Sequence, residues 1–412
     1  MTLHKLKNII RVLRIYYFNL FKNKIFAILN HYKLMKTFKN YEEINIINGF
    51  NIGDVYLNLD IALNSKKKNI ILSQDFNKFC IPYIANILKK KTNIIFSTKL
   101  LLLVTSSPFV RLKINQTYID TYDNSKYKDV IKILSRKSKK KFFFLKILFK
   151  ENSAYLEKIL KLKTKKIIFY SNRDNFYKND AEINSFRNSN IKKSYLGLEY
   201  LKKKKYETIR IGHYKFKKTN LFKQYKTQNN TERNKIEACV AEKCLFAIVS
   251  CSGIQCLPLF FDKPLLIHNF IGFNKSPMIK SGIIIPKILT YKNGDIVSIK
   301  DLFIKKFFVF EPDNNNGALF PLYKRDIGRY QSDNMYRKSK ITYSENTEDE
   351  ILNGIIEMEK YFVLKKKLDI THIRLDKNFK NLFPKNHWIR DSKVLVSYYW
   401  LKKYFHLYYI NK

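Results

Sequence analysis

The fold is decided by the stretch CLFAIVSCSGIQCLPLFFDKPLLIHNF, residues 244–270. It opens with an apolar run that ends in a turn of small residues, a pattern that predicts a buried strand. GIQCLPLFF then has helical character, and KPLLIHNF at 263–270 is a second apolar run. A strand, a helix and a further strand form the repeating unit of a parallel α/β sheet.

The same alternation extends towards the N-terminus. Two strands are predicted at KKIIFYSNRD (165–174) and ETIRIGH (207–213), with the helical IKKSYLGLEYLKKK between them. Further upstream, strands are predicted at INIINGF (44–50), NIILSQ (69–74) and TNIIFST (92–98), again separated by helical segments. The sequence therefore predicts an α/β protein with two Rossmann-like domains that face a cleft.

Four regions are predicted along the 412 residues. We expect a basic amphipathic segment at 1–40, Rossmann-like domains at 41–160 and 161–365, and a helical tail at 366–412. The first segment has nine Lys or Arg and no acidic residue, which is typical of a helix on an anionic membrane. Packing of this helix on the body of the protein is the alternative.

The net charge of +45 indicates a polyanionic partner: nucleic acid, an anionic membrane surface or a phosphate-bearing substrate. The excess is mostly Lys, in a chain also rich in Ile, Asn, Tyr and Phe, which is equally the composition that an AT-rich genome produces. A nucleic-acid-binding protein is expected to show a basic stripe and a recognisable module. The lysines are spread over the whole chain instead, which disfavours nucleic acid as the partner.

The cysteines and the hydropathy indicate a cytoplasmic protein. The odd number of cysteines is not a disulfide framework, and their spacing matches no common zinc ribbon, so we expect reduced thiols in the core: Cys80, Cys239, Cys244, Cys251 and Cys256. No secretory signal and no run of about 18 apolar residues is present. We expect the protein in the cytoplasm, peripheral on the inner face of the cell membrane.

Polar residues follow the predicted strands, where ligands of parallel sheets bind. Ser250, Ser252 and Gly253 form a turn before a helix, and this turn suits a diphosphate through hydroxyl groups and a helix N-terminus. The alternative is that Ser252 only caps the helix.

Two further turns carry cations. Arg210 and Gly212 end one strand, and Arg210 could grip a phosphate through two hydrogen bonds. His213 follows, as a phosphate contact or a base. Arg173 and Asp174 end another strand, where they could bind a phosphate or a sugar hydroxyl. A surface Arg, an ordinary loop His and a turn salt bridge are the respective alternatives.

The turn NGFNIGD, with Gly49, Gly53 and Asp54, is a loose glycine-rich loop but not GxGxxG, and no Walker lysine follows it. Asp54 is a candidate catalytic base towards an acceptor hydroxyl, with helix N-capping as the alternative. The chain has no HExxH motif and no DxD-type metal motif beside these turns. We therefore expect neither a metal nor a cofactor, with cationic side chains and helix dipoles in their place.

Taken together and in this order, the motifs resemble a family of bacterial surface-polysaccharide glycosyltransferases with two Rossmann-like domains, the GT-B arrangement. The resemblance runs from about residue 46 to 310, through NGFNIGD, FYSNRDNFY, FRNSNIKKSYLGLEYL, IRIGHY and SCSGIQCLPLFFDKPLLIHNF. It implies that the C-terminal domain holds a nucleotide-sugar donor near Arg173, Arg210, Ser252, Gly253 and Asn269. The turn from Gly49 to Asp54 would then face the acceptor.

The sequence thus predicts a glycosyltransferase that moves a sugar from a nucleotide-sugar donor to a growing surface polysaccharide or a lipid-linked glycan. A nucleotide-sugar epimerase of similar fold, a basic nucleic-acid-binding protein and a non-catalytic scaffold are the alternatives.

Overall fold

A computed structural model of the chain describes residues 25, 31–47, 52–98, 100–101, 104, 114–115, 127–162, 164–174, 185–212, 219–225, 229–271, 273, 278–304, 340–385 and 387–410. Gly49, His213 and most of the predicted segment 1–40 lie outside these residues, and so does the side chain of Asp54.

The first sheet has four parallel strands in the order β3-β2-β1-β4. The strands are β1 (Glu43–Ile47), β2 (Asn69–Ser73), β3 (Ile94–Phe96) and β4 (Ile114–Asn115). The helices of this part are α1 (His31–Phe38), α2 (Ile52–Asn64), α3 (Pro82–Lys91), α4 (Tyr127–Leu134) and α5 (Lys139–Leu160). Pro82 occupies the first position of α3, where its missing N–H costs no helical hydrogen bond.

The second sheet has six parallel strands in the order β12-β9-β8-β7-β5-β6. Its strands are β5 (Ile167–Ser171), β6 (Glu207–Arg210), β7 (Phe246–Ser250), β8 (Leu265–Phe270), β9 (Gly282–Pro286) and β12 (Leu395–Val396). The helices α6 (Tyr195–Lys203), α7 (Asn230–Lys243), α8 (Cys256–Phe260) and α9 (Ile299–Ile304) connect them. The chain runs from β5 to β6 on one side and then returns to place β7 on the other. The sheet therefore has a topological switch point between β5 and β7.

Within the described residues, the C-terminal part adds an antiparallel pair, four α-helices and a π-helix at Glu359–Val363. The pair is β10 (Ile288–Tyr291) with β11 (Ile341–Ser344), and the helices are α10 (Glu348–Met358), α11 (Ile370–Lys380), α12 (Trp388–Asp391) and α13 (Tyr398–Ile410). β12 lies between the last two helices and pairs with β9, so the tail supplies a strand as well as helices. Trp388 and Trp400 are buried in the core.

One continuous hydrophobic core contains residues of both sheets, among them Ile47 and Ile71 from the first and Phe169 and Ile248 from the second. Helix α2 packs on α8, where the ring centroids of Tyr56 and Phe260 are 5.6 Å apart. The structure confirms the α/β class and a parallel sheet compatible with a Rossmann-like fold. The division into two domains around a cleft stays a prediction, since both sheets contribute to the same core.

Charged groups are buried where the two sheets meet. The ammonium group of Lys141, on α5, lies 2.6 Å from a carboxylate oxygen of Asp60 on α2 and 3.4 Å from one of Asp262. Lys280 bridges the same two carboxylates. Burial raises the pKa of Asp60, and the two lysines oppose that rise. The four side chains form an ion network that ties α2 and α5 to the six-stranded sheet.

Among the helices that the structure describes, none combines the length and the apolar content needed to cross a bilayer.

Candidate functional site

The candidate site lies at the switch point, where the loops after β5 and β7 are tied together. The backbone N–H of Arg173 donates to the Ser250 hydroxyl at 2.6 Å. The Nε of Arg187 donates to the carbonyl of Cys251 at 2.9 Å. The hydroxyl of Ser250 is therefore engaged in holding the two loops at the carboxyl edge of the sheet.

Several buried polar atoms at this edge have no hydrogen-bond partner among the described residues. Ser252 occupies the N-cap position of the 3-10 turn Gly253–Gln255, yet its side chain makes no capping hydrogen bond. Its Oγ is buried without a partner, and so are Asn172 Oδ1, Gln255 Oε1 and His268 Nε2. Helix capping, the alternative considered for Ser252, is not what the structure shows. Because buried polar groups in native proteins are almost always paired, these atoms indicate a bound ligand or ordered water.

The glycine-rich turn of the first sheet reaches the same place. A Cβ added to Gly53 would lie 2.9 Å from both Cα and the carbonyl oxygen of Gly253. Gly53 is in the first turn of α2, whose N–H groups have no partner within the helix. The backbone of Asp54 follows in the same turn. The structure thus brings two of the predicted motifs into contact, although they are two hundred residues apart in sequence.

Arg210 and Asp174 form an ion pair. The guanidinium of Arg210 is buried, with Nη2 3.2 Å from Asp174 Oδ2, and it lies 5.5 Å from the ring centroid of Phe222. The structure pairs Asp174 with a residue of the neighbouring strand. Since a buried guanidinium needs a partner, this pair fixes the loop after β5 against the end of β6. Phosphate binding by Arg210 stays a prediction.

Gly212 has a positive φ of 100°, a conformation that strongly favours glycine. A Cβ at this position would lie 3.6 Å from the hydroxyl of Ser171. Gly212 therefore lets the chain after β6 turn at the carboxyl edge of the sheet. The next residue, His213, is outside the described part of the chain.

Asn269 holds the end of β8 to the segment before α10. Its backbone N–H donates to Asn346 Oδ1 at 2.5 Å, and the backbone N–H of Asn346 donates back to Asn269 Oδ1 at 2.7 Å. Its Nδ2 donates to the Ser189 hydroxyl at 2.7 Å. Asn269 also has a positive φ of 53°, which asparagine tolerates better than most residues. The structure thus gives Asn269 a positioning role, and its predicted contact with the donor stays a prediction.

Sequence reasoning missed His268, which lies beside Ser250 in the register of β7 and β8. Burial, and then the charge of Lys287, lower its pKa to about 3, so the imidazole is neutral at physiological pH. The amide nitrogen of Asn269 is 3.2 Å from Nδ1. Because the oxygen of that amide accepts from Asn346, its nitrogen must donate, and Nδ1 is the acceptor. The proton is then on Nε2, which is a donor without a described partner.

Lys287 is the cation whose charge acts on this histidine. Its buried ammonium group donates to the carbonyls of Phe186 at 2.8 Å and Asn188 at 3.0 Å. Neither His268 nor Lys287 had a sequence signal beyond its place in an apolar run. Asn346 had one, because it precedes the Thr347–Glu350 capping box that starts α10.

Within the described residues, no group of three or more His, Cys, Asp or Glu side chains is arranged to hold a metal ion. Comparison of the chain with protein-family models, with curated proteins and with solved structures finds no match.

Proposed function

We propose that this chain is a glycosyltransferase that moves a sugar from a nucleotide-sugar donor to a growing surface polysaccharide or a lipid-linked glycan. The observation that carries the proposal is the contact between Gly53 and Gly253, which places the first turn of α2 beside a turn with unpartnered buried polar atoms.

The donor's diphosphate fits this place by its chemistry. Its oxygens are hydrogen-bond acceptors with negative charge, and the N-terminus of α2 offers N–H donors and the positive end of a helix dipole. The Ser252 hydroxyl and the Nε2 proton of His268 add two neutral donors. Arg173, at the adjoining loop, supplies the positive charge that a leaving nucleoside diphosphate needs.

The acceptor hydroxyl is proposed to lie next to the same first turn of α2, beside Asp54. In this proposal Asp54 removes the proton from the acceptor hydroxyl as that oxygen forms the new glycosidic bond. The bond from the sugar to the diphosphate breaks, and the charge that develops on the leaving oxygen is stabilised by the donors above. His213 is the second candidate for proton transfer. No metal is needed, because helix dipole and side-chain donors carry the electrostatic stabilisation.

Arg210, Asp174 and Asn269 hold the segments that carry the proposed ligand-binding groups. The ion pair holds the loop after β5, and the amide pair with Asn346 holds the end of β8. Such supporting contacts keep the first layer of ligand-binding groups in place.

The experiment that tests the proposal is a thermal-shift screen of the full chain against UDP-, GDP-, CMP- and ADP-sugars, with double-stranded DNA as the control. Stabilisation that grows with the concentration of one nucleotide family is expected from mass action. A shift with DNA alone, fading steeply as salt rises, would contradict the proposal and favour a nucleic-acid-binding protein.

A further inference from the structure

Helix α5 exposes two adjacent phenylalanines. Phe142 is 69% exposed and Phe143 is 57% exposed. The packing face of this helix is formed by Lys141, Phe144 and Leu148, all buried, at positions i, i+3 and i+7. These residues form the face of α5 that packs against the rest of the protein. The two exposed rings are additional to it and need another explanation.

Cations surround these rings. The stretch 130–150 contains eight Lys or Arg and no Asp or Glu. Lys139, Lys140 and Lys146 are exposed on α5, three or four residues from one or the other phenylalanine and therefore on the same side of the helix. Arg136 and Lys137, just before the helix, are exposed as well.

A second basic segment lies beside the start of α5. The hydroxyl of Ser138 donates to the carbonyl of Leu63 at 2.5 Å, which fixes the start of α5 at the end of α2. The exposed residues Lys66, Lys67 and Lys68 follow directly. The carboxylate of Glu42 accepts from the backbone N–H of Lys68 at 2.9 Å, and Glu43 accepts from the hydroxyl of Ser65 just before the segment. We call the two phenylalanines and these exposed cations the basic–aromatic surface: Lys66, Lys67, Lys68, Arg136, Lys137, Lys139, Lys140, Phe142, Phe143 and Lys146.

We propose that the basic–aromatic surface docks the protein on an anionic lipid bilayer. Aromatic side chains insert at the boundary between headgroups and acyl chains, while lysines remain at the level of the phosphates. Each cation near an anionic leaflet adds attraction, and the surface has them on both sides of the two rings.

The same features disfavour other partners. The centre of a protein–protein interface is depleted of lysine, whereas lysines lie within one helical turn of both rings here. Single-stranded nucleic acid stacks successive bases on aromatic platforms, but consecutive side chains of a helix diverge by about 100° and cannot offer two parallel platforms.

The surface lies away from the candidate site. Gly53 is at one end of α2 and Leu63 at the other, and ten residues of helix span about 15 Å. Lipid binding by this surface therefore does not depend on the proposed glycosyl transfer, and either proposal can fail alone. It consists of other residues than the membrane contact predicted for residues 1–40.

The test is sedimentation of the full chain with vesicles of phosphatidylcholine, with or without about a third phosphatidylglycerol. We expect binding to the anionic vesicles, and Phe142→Ala/Phe143→Ala should weaken it about tenfold or more. Lys139→Ala/Lys140→Ala should weaken it about fivefold for each lysine. The matched control is Leu364→Ala/Ile370→Ala, an apolar pair that is 55% and 85% exposed and that lies beside Lys365, Lys366 and Lys367. It should bind like the unchanged chain.

Several results would overturn the proposal. These are unchanged binding by the Phe142→Ala/Phe143→Ala variant, a loss confined to the control pair, or equal binding to vesicles without phosphatidylglycerol. Binding of RNA or DNA without binding of vesicles would assign the surface to nucleic acid. A dimer in analytical ultracentrifugation that the phenylalanine variant dissolves would assign it to a second copy of the chain. Because both rings are exposed, the variants should keep the thermal stability of the unchanged protein, which a melting curve checks.

Discussion

The joint between the two sheets pairs its buried charges, whereas the carboxyl edge of the six-stranded sheet leaves buried neutral polar atoms without a described partner. At the joint, Asp60 and Lys141 are buried and paired with each other, and Lys280 and Asp262 complete the network. At the edge, Ser252 Oγ, Asn172 Oδ1 and His268 Nε2 are buried without a described partner. A satisfied network stabilises one arrangement of the chain, whereas a buried polar atom without a partner within the chain calls for a bound ligand or an ordered water.

The largest effect is expected where the network is satisfied. Asp60→Ala removes the nearest carboxylate of the buried Lys141 ammonium group and leaves Lys141 and Lys280 to share Asp262. We therefore expect a loss that approaches the cost of breaking a buried ion pair, about 3–5 kcal/mol. Urea unfolding of the full chain measures this loss of stability. The matched control is Asp369→Ala, which removes the exposed pair with Lys360 and should change the free energy of unfolding little. Equal effects of the two changes would show that the joint is not held by its ion network.

Gly53 lies where joint and site meet, and it should be the less tolerant of the two touching glycines. Its added Cβ would be 2.9 Å from the backbone of Gly253, so Gly53→Ala should cost about 1–3 kcal/mol of unfolding free energy through overpacking. The reverse change, Gly253→Ala, would put a Cβ at an ordinary 3.4 Å from the Gly53 nitrogen, and it should cost less. A larger loss for Gly253→Ala, measured by the same unfolding curve, would contradict the contact.

Two buried histidines, His268 at the edge and His387 in the C-terminal part, should make the stability of the protein depend on pH. Burial lowers the pKa of His268 to about 3 and that of His387 to about 4, so the unfolded chain takes up protons first as the pH falls below about 6.5. The stability that each neutral histidine contributes is complete above that pH and is lost on acidification. Each should account for about 1 kcal/mol of lost unfolding free energy at pH 5.5 relative to pH 6.5. For His268→Gln, the unfolding free energy should fall less steeply between pH 6.5 and 5.5, by the contribution of one histidine. An unchanged dependence on pH would place His268 outside the core.

The strands could be predicted because they are apolar runs bounded by turn residues. Those between residues 43 and 96 and between 167 and 270 lie where their patterns indicated. β12 could not be predicted, since Leu395–Val396 is too short to show a period. The candidate site was predictable only in part. The Ser250–Gly253 turn follows a strand, but its contact with Gly53 comes from the packing of α2 on α8, for which no local pattern exists.

The side-chain pairings within the site could not be predicted from the sequence either, because they also depend on tertiary packing. Arg210 meets Asp174 because β5 and β6 are neighbours, and the sheet order decides that. The amide pair of Asn269 and Asn346 joins residues 77 positions apart. Only the capping box that follows Asn346 was visible as a motif.

The most direct test of the central claim is calorimetric titration of the nucleotide sugar that stabilises the chain most, into the unchanged protein, Ser252→Ala and Ser135→Ala. Ser135 is an exposed serine at the end of α4 and is the matched control. Loss of one hydroxyl donor to a phosphate should weaken binding about tenfold in Ser252→Ala and leave Ser135→Ala unchanged. Equal affinities for all three proteins would place the nucleotide away from the switch point and contradict the account.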